Sequence, residues 1–150
     1  MSGLSLGDAV HRLMHTYKNL LLEGIRKQEI ALPVTQIRAL KGICRNPQST
    51  AQSIAQQMQR DKAQITRALN DLIDAGLIVK VDNPLDRRSQ LLKPTPIGQK
   101  TMAQLDAAEE WAVKQLTRNL EINDLALFLR VCNTMTDSVD QIPAADKGEL

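Results

Sequence analysis

Polar side chains that can hydrogen-bond to the edges of nucleic-acid bases recur between positions 62 and 70. They interrupt an apolar series at helical spacing, so on one helix they would lie opposite its buried side. They are Lys62, Gln64, Thr66, Arg67 and Asn70. An arginine can donate two hydrogen bonds to guanine, and a glutamine or asparagine can pair in a similar way with adenine. The same residues would also form an ordinary solvated helix face, so the neighbouring elements must decide between the two interpretations.

A short helix is predicted immediately before this segment. Ser49 and Thr50 are residue types that cap helix starts. Backbone amides at the start of a helix can bind phosphate, so we predict phosphate contacts at Ser49, Thr50 and Gln52. Only Gln59 and Arg60 separate this helix from the next one.

The helix that carries the five polar residues is predicted to begin at Asp61 and to end at Gly76. Asp61 and Gln64 have the spacing of a capping box, and glycine often terminates a helix. The buried stripe is expected to consist of Ile65, Leu69, Leu72 and Ile73. Two short helices joined by a tight turn form a helix-turn-helix, whose second helix can enter the major groove of DNA.

A β-hairpin is predicted after Gly76. Residues 77–81 are β-formers, Asn83-Pro84 favours a turn, and residues 90–93 can return as the second strand. At the tip, Asp86 is expected to hold the guanidinium of Arg88 in a fixed orientation, with Arg87 free beside it. An arginine placed in this way suits a narrow, A·T-rich minor groove, although an isolated turn of this composition could simply be solvated.

Long amphipathic helices are predicted on both sides of this central segment. The first covers residues 4–30, and a second, shorter helix covers residues 33–45. Two more are expected at residues 96–120 and 123–141. Their apolar faces exceed what one compact winged helix can bury, so we predict a homodimer; a bundle within one chain is the alternative.

Positive charge is concentrated in the middle of the chain, although the net charge of its 150 residues is only +2. Residues 33–98 contain ten Lys and Arg against five Asp and Glu, whereas the flanks contain nine against twelve. A basic central segment is what attraction to phosphate requires. Double-stranded DNA is therefore the predicted partner.

Other functional classes have little support in the sequence. His11 and His15 share a helix face but have no evident third ligand, so neither a metal nor a cofactor is predicted. Cys44 and Cys132 are expected to be buried thiols. No nucleophile and base are arranged for catalysis, so we expect no enzyme. Without a signal-peptide pattern or a long apolar stretch, the chain is expected to be cytoplasmic, with no membrane partner.

The segment from Leu72 to Gln99 resembles the signature of MarR-family regulators. The matching residues occur in the family's order and are Gly76, Leu77, Ile78, Asp86, Arg88, Thr95 and Gly98. The resemblance implies a mainly α fold with a small β-hairpin wing, in which residues 1–150 form a single domain. Residues 33–98 would be the winged helix-turn-helix, and residues 4–30 and 96–141 would supply the dimerisation helices.

The resemblance also implies a function. The chain would be a sequence-specific transcriptional regulator, in the first instance a repressor, that binds a pseudopalindromic operator as a homodimer. Arg67 would be the arginine of the recognition helix, and Asp86 with Arg88 the pair in the wing. A winged helix that binds protein and not DNA is the alternative.

Two further expectations follow from comparison with the family pattern. Pro94 occupies a position that is usually an apolar strand residue, and Pro96 follows closely, so the second strand is expected to end early. Family members often respond to a small aromatic or amphipathic ligand bound beside the dimerisation helices. By location, the candidate pocket residues here are Arg12, His15, Gln36 and Arg38.

Overall fold

The computed structural model describes residues 3–143 and contains six helices and one two-stranded sheet within that range. In chain order these are α1 (Leu6–Lys27), α2 (Val34–Arg45), α3 (Ala51–Met58), α4 (Lys62–Asp74), β1 (Ile78–Asp82), β2 (Gln90–Pro94), α5 (Pro96–Thr117) and α6 (Asp124–Asp140). The predicted fold class, mainly helical with a hairpin wing, is confirmed. The described chain divides into two compact units, residues 3–112 and 113–143.

The core of the first unit is aliphatic and centres on the winged helix, and Met102 and Leu105 of α5 belong to it. Its largest fully buried apolar side chains come from α2, α3, α4 and both strands: Leu40, Ile43, Ile54, Ile65, Leu72, Ile78 and Leu92. Burying each such side chain contributes about 1.5–3 kcal/mol relative to leaving it in water. These contacts fix α3, α4 and the hairpin as one packed body.

The two short helices begin in different ways. Thr50 and Ser53 form a reciprocal capping box at α3, with the Ser53 amide 3.1 Å from Thr50 Oγ1 and the Thr50 amide 2.9 Å from Ser53 Oγ. The capping box predicted for α4 is wrong, because the Asp61 side chain makes no cap hydrogen bond. Asp61 and Gln64 are both exposed, so water can satisfy their polar atoms.

Gly76 ends α4 as predicted. Its φ of +76° lies in the left-handed region, which glycine adopts without the steric cost of a Cβ. The Gly76 amide donates to the Ile73 carbonyl at 2.9 Å, and the Leu77 amide donates to the Leu72 carbonyl at 2.9 Å. This pair of bonds is a Schellman motif, which directs the chain from α4 straight into β1.

The hairpin is antiparallel, in a register that runs from Ile78 opposite Pro94 to Asp82 opposite Gln90. The expectation that β2 ends before Pro94 is therefore wrong. Pro94 occupies the terminal pair of an edge strand, where the loss of one amide donor is tolerated. Helix α5 begins at Pro96, a first-turn position that suits proline.

Helices α1 and α5 pack closely within residues 3–112. A Cβ added to Gly24 would lie 2.7 Å from the carbonyl oxygen of Ala108, so only glycine permits this approach. The Lys27 ammonium lies 5.1 Å from the centroid of the Trp111 ring. An ion pair between Lys41 and Glu109 joins α2 to α5.

Residues 113–143 comprise the end of α5, a short connection and α6. No residue of α6 is buried. The helix instead exposes large apolar side chains along its length: Leu125, Leu127, Phe128, Leu129, Met135 and Val139. None of the helices within residues 3–143 combines the length and the hydrophobicity that crossing a membrane requires.

Candidate nucleic-acid interface

The exposed face of α4 is the centre of the candidate interface. All five predicted side chains are exposed: Lys62, Gln64, Thr66, Arg67 and Asn70. Ile65, Leu69 and Leu72 are buried on the opposite side, so the helix is anchored by its apolar stripe and presents its polar face to solvent. This arrangement is the one that a recognition helix requires.

Charge is distributed unevenly along α4. Lys62 and Arg67 lie in its first half, and neither forms an ion pair within the part of the chain that the structure describes. Asp71 and Asp74 lie near its end, and Asp71 accepts a hydrogen bond from Gln36 Nε2 at 3.2 Å. The first two turns are therefore free to meet phosphate and base edges, while the carboxylates stand at the other end.

The start of α3 offers fewer groups for phosphate contacts than predicted. Ser49 is fully buried; its amide donates to the Asn46 carbonyl at 3.1 Å, and its hydroxyl donates to the same carbonyl at 2.8 Å. The predicted phosphate contact at Ser49 is therefore wrong, because both donors are already used inside the protein. The Thr50 amide is bonded to Ser53, which leaves the exposed Gln52 as the candidate in this turn.

The wing tip is organised by a hydrogen bond from a backbone amide to Asp86, and the predicted bond from the Arg88 guanidinium is wrong. Asp86 Oδ1 accepts the backbone amide of Arg88 at 2.9 Å, and no ion pair joins the two side chains within residues 3–143. A carboxylate reaches an amide two residues onward easily, which forms an Asx turn. Asp86 thus shapes the backbone at the tip, and the guanidinium groups of Arg87 and Arg88 extend into solvent.

Asn83 and Ser89, which were not among the predicted site residues, hold this tip in place. Asn83 Oδ1 accepts the Leu85 amide at 3.0 Å, and Asn83 Nδ2 donates to Ser89 Oγ at 3.0 Å. The turn preference of Asn83-Pro84 pointed to the first bond, since asparagine commonly forms Asx turns. The second bond closes the base of the loop and keeps both arginines on a compact tip.

The wing is also fixed to the helix-turn-helix. The Leu92 amide donates to the Ser49 carbonyl at 2.8 Å, and the Lys93 ammonium donates to the Pro47 carbonyl. Both bonds link β2 to the connection between α2 and α3. Recognition helix and wing therefore have a fixed relative position, and Ser49 and Lys93 act as positioning residues.

Comparison with known proteins agrees with this geometry. A sequence model of the MarR family matches residues 32–89, which contain the helix-turn-helix and most of the wing. Over these residues the chain matches the MarR family of winged helix-turn-helix transcriptional regulators. MarR-family transcriptional regulators are non-enzymatic, in agreement with the prediction from the sequence.

Individual relatives share only limited sequence identity with this chain. A transcriptional regulatory protein for the hcr operon of Thauera aromatica is 35% identical over 69 residues, which cover 46% of this chain and 42% of that protein. Apo wild-type MarR from E. coli has a TM-score of 0.74 at 22% identity, covering 90% of this chain and 98% of that one. CouR from Rhodococcus jostii, bound to p-coumaroyl-CoA, has a TM-score of 0.69 at 20% identity, covering 93% of each chain. At these identities the structural likeness establishes the MarR fold.

The four predicted ligand-pocket residues do not line one site. His15 borders a depression on α1, Gln36 borders a groove beside α4, and Arg38 borders a third depression between α2 and α3. Arg12 is exposed on α1. The single pocket predicted from these residues is therefore wrong, because their helices direct them to separate surfaces.

Histidines and cysteines show no arrangement for metal or redox chemistry. His15 Nε2 hydrogen-bonds with Asn19 at 3.2 Å, and no cluster of three potential metal ligands occurs within residues 3–143. Cys44 and Cys132 are only partly buried, so the expectation of buried thiols is wrong. Burial, and secondarily the negative charge of Asp106, raise the pKa of the Cys44 thiol, which makes it a poor nucleophile at neutral pH.

Proposed function

We propose that this MarR-family protein is a transcriptional regulator that binds a pseudopalindromic DNA operator as a homodimer. The observation that carries the proposal is the polar face of α4, where exposed Lys62, Gln64, Arg67 and Asn70 stand opposite a buried apolar stripe. In a winged helix, side chains at this position reach base edges in the major groove. The exposed Arg87 and Arg88 of the wing supply further positive charge for phosphate or the minor groove.

Exposed apolar surface supports the homodimer. Helix α1 has 22 residues, corresponding to about 33 Å, and leaves Leu6 64% and Val10 43% exposed. Helix α6, in the other unit, leaves Leu127 52% and Leu129 53% exposed. Soluble monomers seldom expose this much aliphatic surface, and a second copy of the chain would cover it. A two-fold dimer would present two copies of α4 to half-sites about one helical turn of DNA apart.

The test is the salt dependence of binding to duplex DNA, measured by fluorescence polarisation. A dimer that contacts about eight phosphates should give a slope of about −7 for the logarithm of affinity against the logarithm of salt concentration. Lys62→Ala should reduce the steepness by about one unit per half-site. Lys100→Ala, which removes an exposed lysine of α5, is the matched control and should leave the slope unchanged. A slope near zero would contradict DNA binding and favour a winged helix that binds protein.

We further propose that the protein is a repressor that acts in the cytoplasm, where operator DNA is accessible. An operator placed between a promoter and a reporter gene should lower expression when the protein is present. Expression that rises instead would identify an activator and contradict the repressor role.

Release by a small aromatic or amphipathic ligand is proposed as well, with a revised location. The depression on α1 has a volume of about 700 Å³ and apolar walls, and its lining residues are His11, Met14, His15, Tyr17, Lys18, Leu21 and Val34. This size is typical of small-molecule sites. Aromatic carboxylates, titrated into the protein–operator complex, should lower polarisation, and Met14→Lys should abolish that response. A response that Met14→Lys leaves intact would contradict the location.

A further inference from the structure

Two small side chains interrupt the polar face of α4. Ala63 and Thr66 are both exposed and are three residues apart, so they are neighbours on the helix surface. They lie among the residues proposed to meet DNA, between Lys62 and Arg67. Ala63 has no hydrogen-bonding side chain and is not among the predicted site residues.

The hydroxyl of Thr66 is engaged by the protein itself. Thr66 Oγ1 donates to the Lys62 carbonyl at 2.9 Å, one turn earlier in the same helix. This back-bond uses the only proton that the hydroxyl can donate and holds the oxygen against the backbone. The γ-methyl of Thr66 is then the group available to a partner, beside the β-methyl of Ala63.

We propose that Ala63 and Thr66 together recognise the 5-methyl group of a thymine in each half-site. The inference rests on the proposed DNA-binding function and adds a base preference to it. Of the four bases, only thymine presents a methyl group in the major groove, and alanine and threonine methyls are its usual protein contacts. Residues in the first turns of a recognition helix are those that reach base edges, and Ala63 and Thr66 belong to those turns.

Loss of the methyl contact should weaken DNA binding modestly in one half-site and more strongly when it is lost in both. Losing the contact of one buried methyl group should weaken binding about fourfold at one half-site. The same loss in both half-sites of a dimer should weaken binding about sixteenfold, because the half-sites are far enough apart to contribute independently.

The experiment begins with an operator selected from random duplexes by the full-length protein. Each thymine is then replaced by deoxyuridine, which keeps base pairing and the O4 acceptor and deletes only the methyl group. The wild-type protein should lose affinity at one or two positions per half-site. Thr66→Ser retains the hydroxyl and deletes the methyl, and Ala63→Gly deletes the other methyl. Each variant should bind the thymine operator more weakly and should lose its sensitivity to deoxyuridine at those positions.

Thr134→Ser is the matched control. Thr134 is also an exposed helical threonine, and its hydroxyl donates to the Arg130 carbonyl at 3.0 Å. This variant should respond to deoxyuridine as the wild type does. Wild-type binding that no deoxyuridine alters, or undiminished sensitivity in both Thr66→Ser and Ala63→Gly, would overturn the methyl contact while leaving DNA binding intact. Absence of salt-dependent binding to any duplex would overturn the proposed function and this inference together.

Discussion

Replacing Asp86 separates two opposite effects of one carboxylate at the wing tip. Its oxygen accepts the Arg88 amide at 2.9 Å and so shapes the turn that carries both arginines. Its negative charge repels nearby phosphate. Asp86→Asn keeps a carbonyl oxygen that can accept the amide and removes the charge, whereas Asp86→Ala removes both.

The two magnitudes differ enough to be measured. At about 8 Å in water, the repulsion between a carboxylate and a phosphate is about 0.5 kcal/mol before salt screening, and physiological salt reduces it further. A hydrogen bond that fixes a turn contributes about 0.5–1.5 kcal/mol. We therefore expect Asp86→Asn to bind operator as tightly as the wild type, or up to about twofold more tightly. Asp86→Ala loses this bond in both wings of a dimer, about 1–3 kcal/mol in total, and should bind about 5- to 150-fold more weakly.

Fluorescence polarisation on two operators checks this expectation. The loss in Asp86→Ala should be large when A·T-rich sequence flanks the half-sites and small when the flanks are G·C-rich, because arginine favours the narrow A·T minor groove. Adding Arg88→Ala to Asp86→Ala should cost little more, since the two residues act as one unit. If Asp86→Ala binds as tightly as Asp86→Asn, the turn bond does not position the arginines and the reasoning is refuted.

Three further predictions test other parts of the structure. Arg67→Ala should weaken binding to the preferred operator by about 1–3 kcal/mol more than it weakens binding to random duplex. The control Arg118→Ala, which removes an exposed arginine, should change neither affinity. Equal losses on both duplexes would mean that Arg67 contacts phosphate and not a base. Gly98→Ala should lower the free energy of unfolding in urea by about 3 kcal/mol, because its Cβ would overlap the Leu77 carbonyl oxygen. Gly7→Ala, whose Cβ would meet only Ser5 Oγ at 3.9 Å, is the control and should be neutral or slightly stabilising. In a Cys132→Ser background, the rate at which iodoacetamide alkylates Cys44 should rise with pH and reach half its maximum above the ordinary pKa of a thiol, because burial raises the pKa of Cys44. A half-maximal rate at a pH below that pKa would support a redox role for Cys44.

The features of the candidate interface that could be predicted are those that depend only on residues close together in the sequence. Helix α4 is an example, because its apolar spacing and the glycine at its end are local properties. The exposure of Arg67 follows from the same spacing. Asp86 is an intermediate case. The sequence predicted a bond between its carboxylate and Arg88, but the donor is the backbone amide of Arg88 and not the guanidinium.

Ser49 shows why other parts could not be predicted. Its residue type and its place before a helix suggested an exposed cap, yet its carbonyl is bonded to Leu92, which is distant in sequence. Only the packing of the hairpin against the connection between α2 and α3 buries it. The ligand residues failed for a related reason, since Gln36 and Arg38 face different surfaces of one helix.

Four of the residues that carried the family resemblance meet at one junction, although they are spread along the sequence: Gly76, Leu77, Thr95 and Gly98. The Thr95 amide donates to the Leu77 carbonyl at 3.0 Å, and its hydroxyl donates to the Gly76 carbonyl. The same hydroxyl oxygen accepts the Gly98 amide at 3.1 Å, which begins α5. The end of α4, the start of β1 and the first turn of α5 are thus joined without intervening flexible chain. These three hydrogen bonds are the physical link between the first turn of α5 and the end of α4.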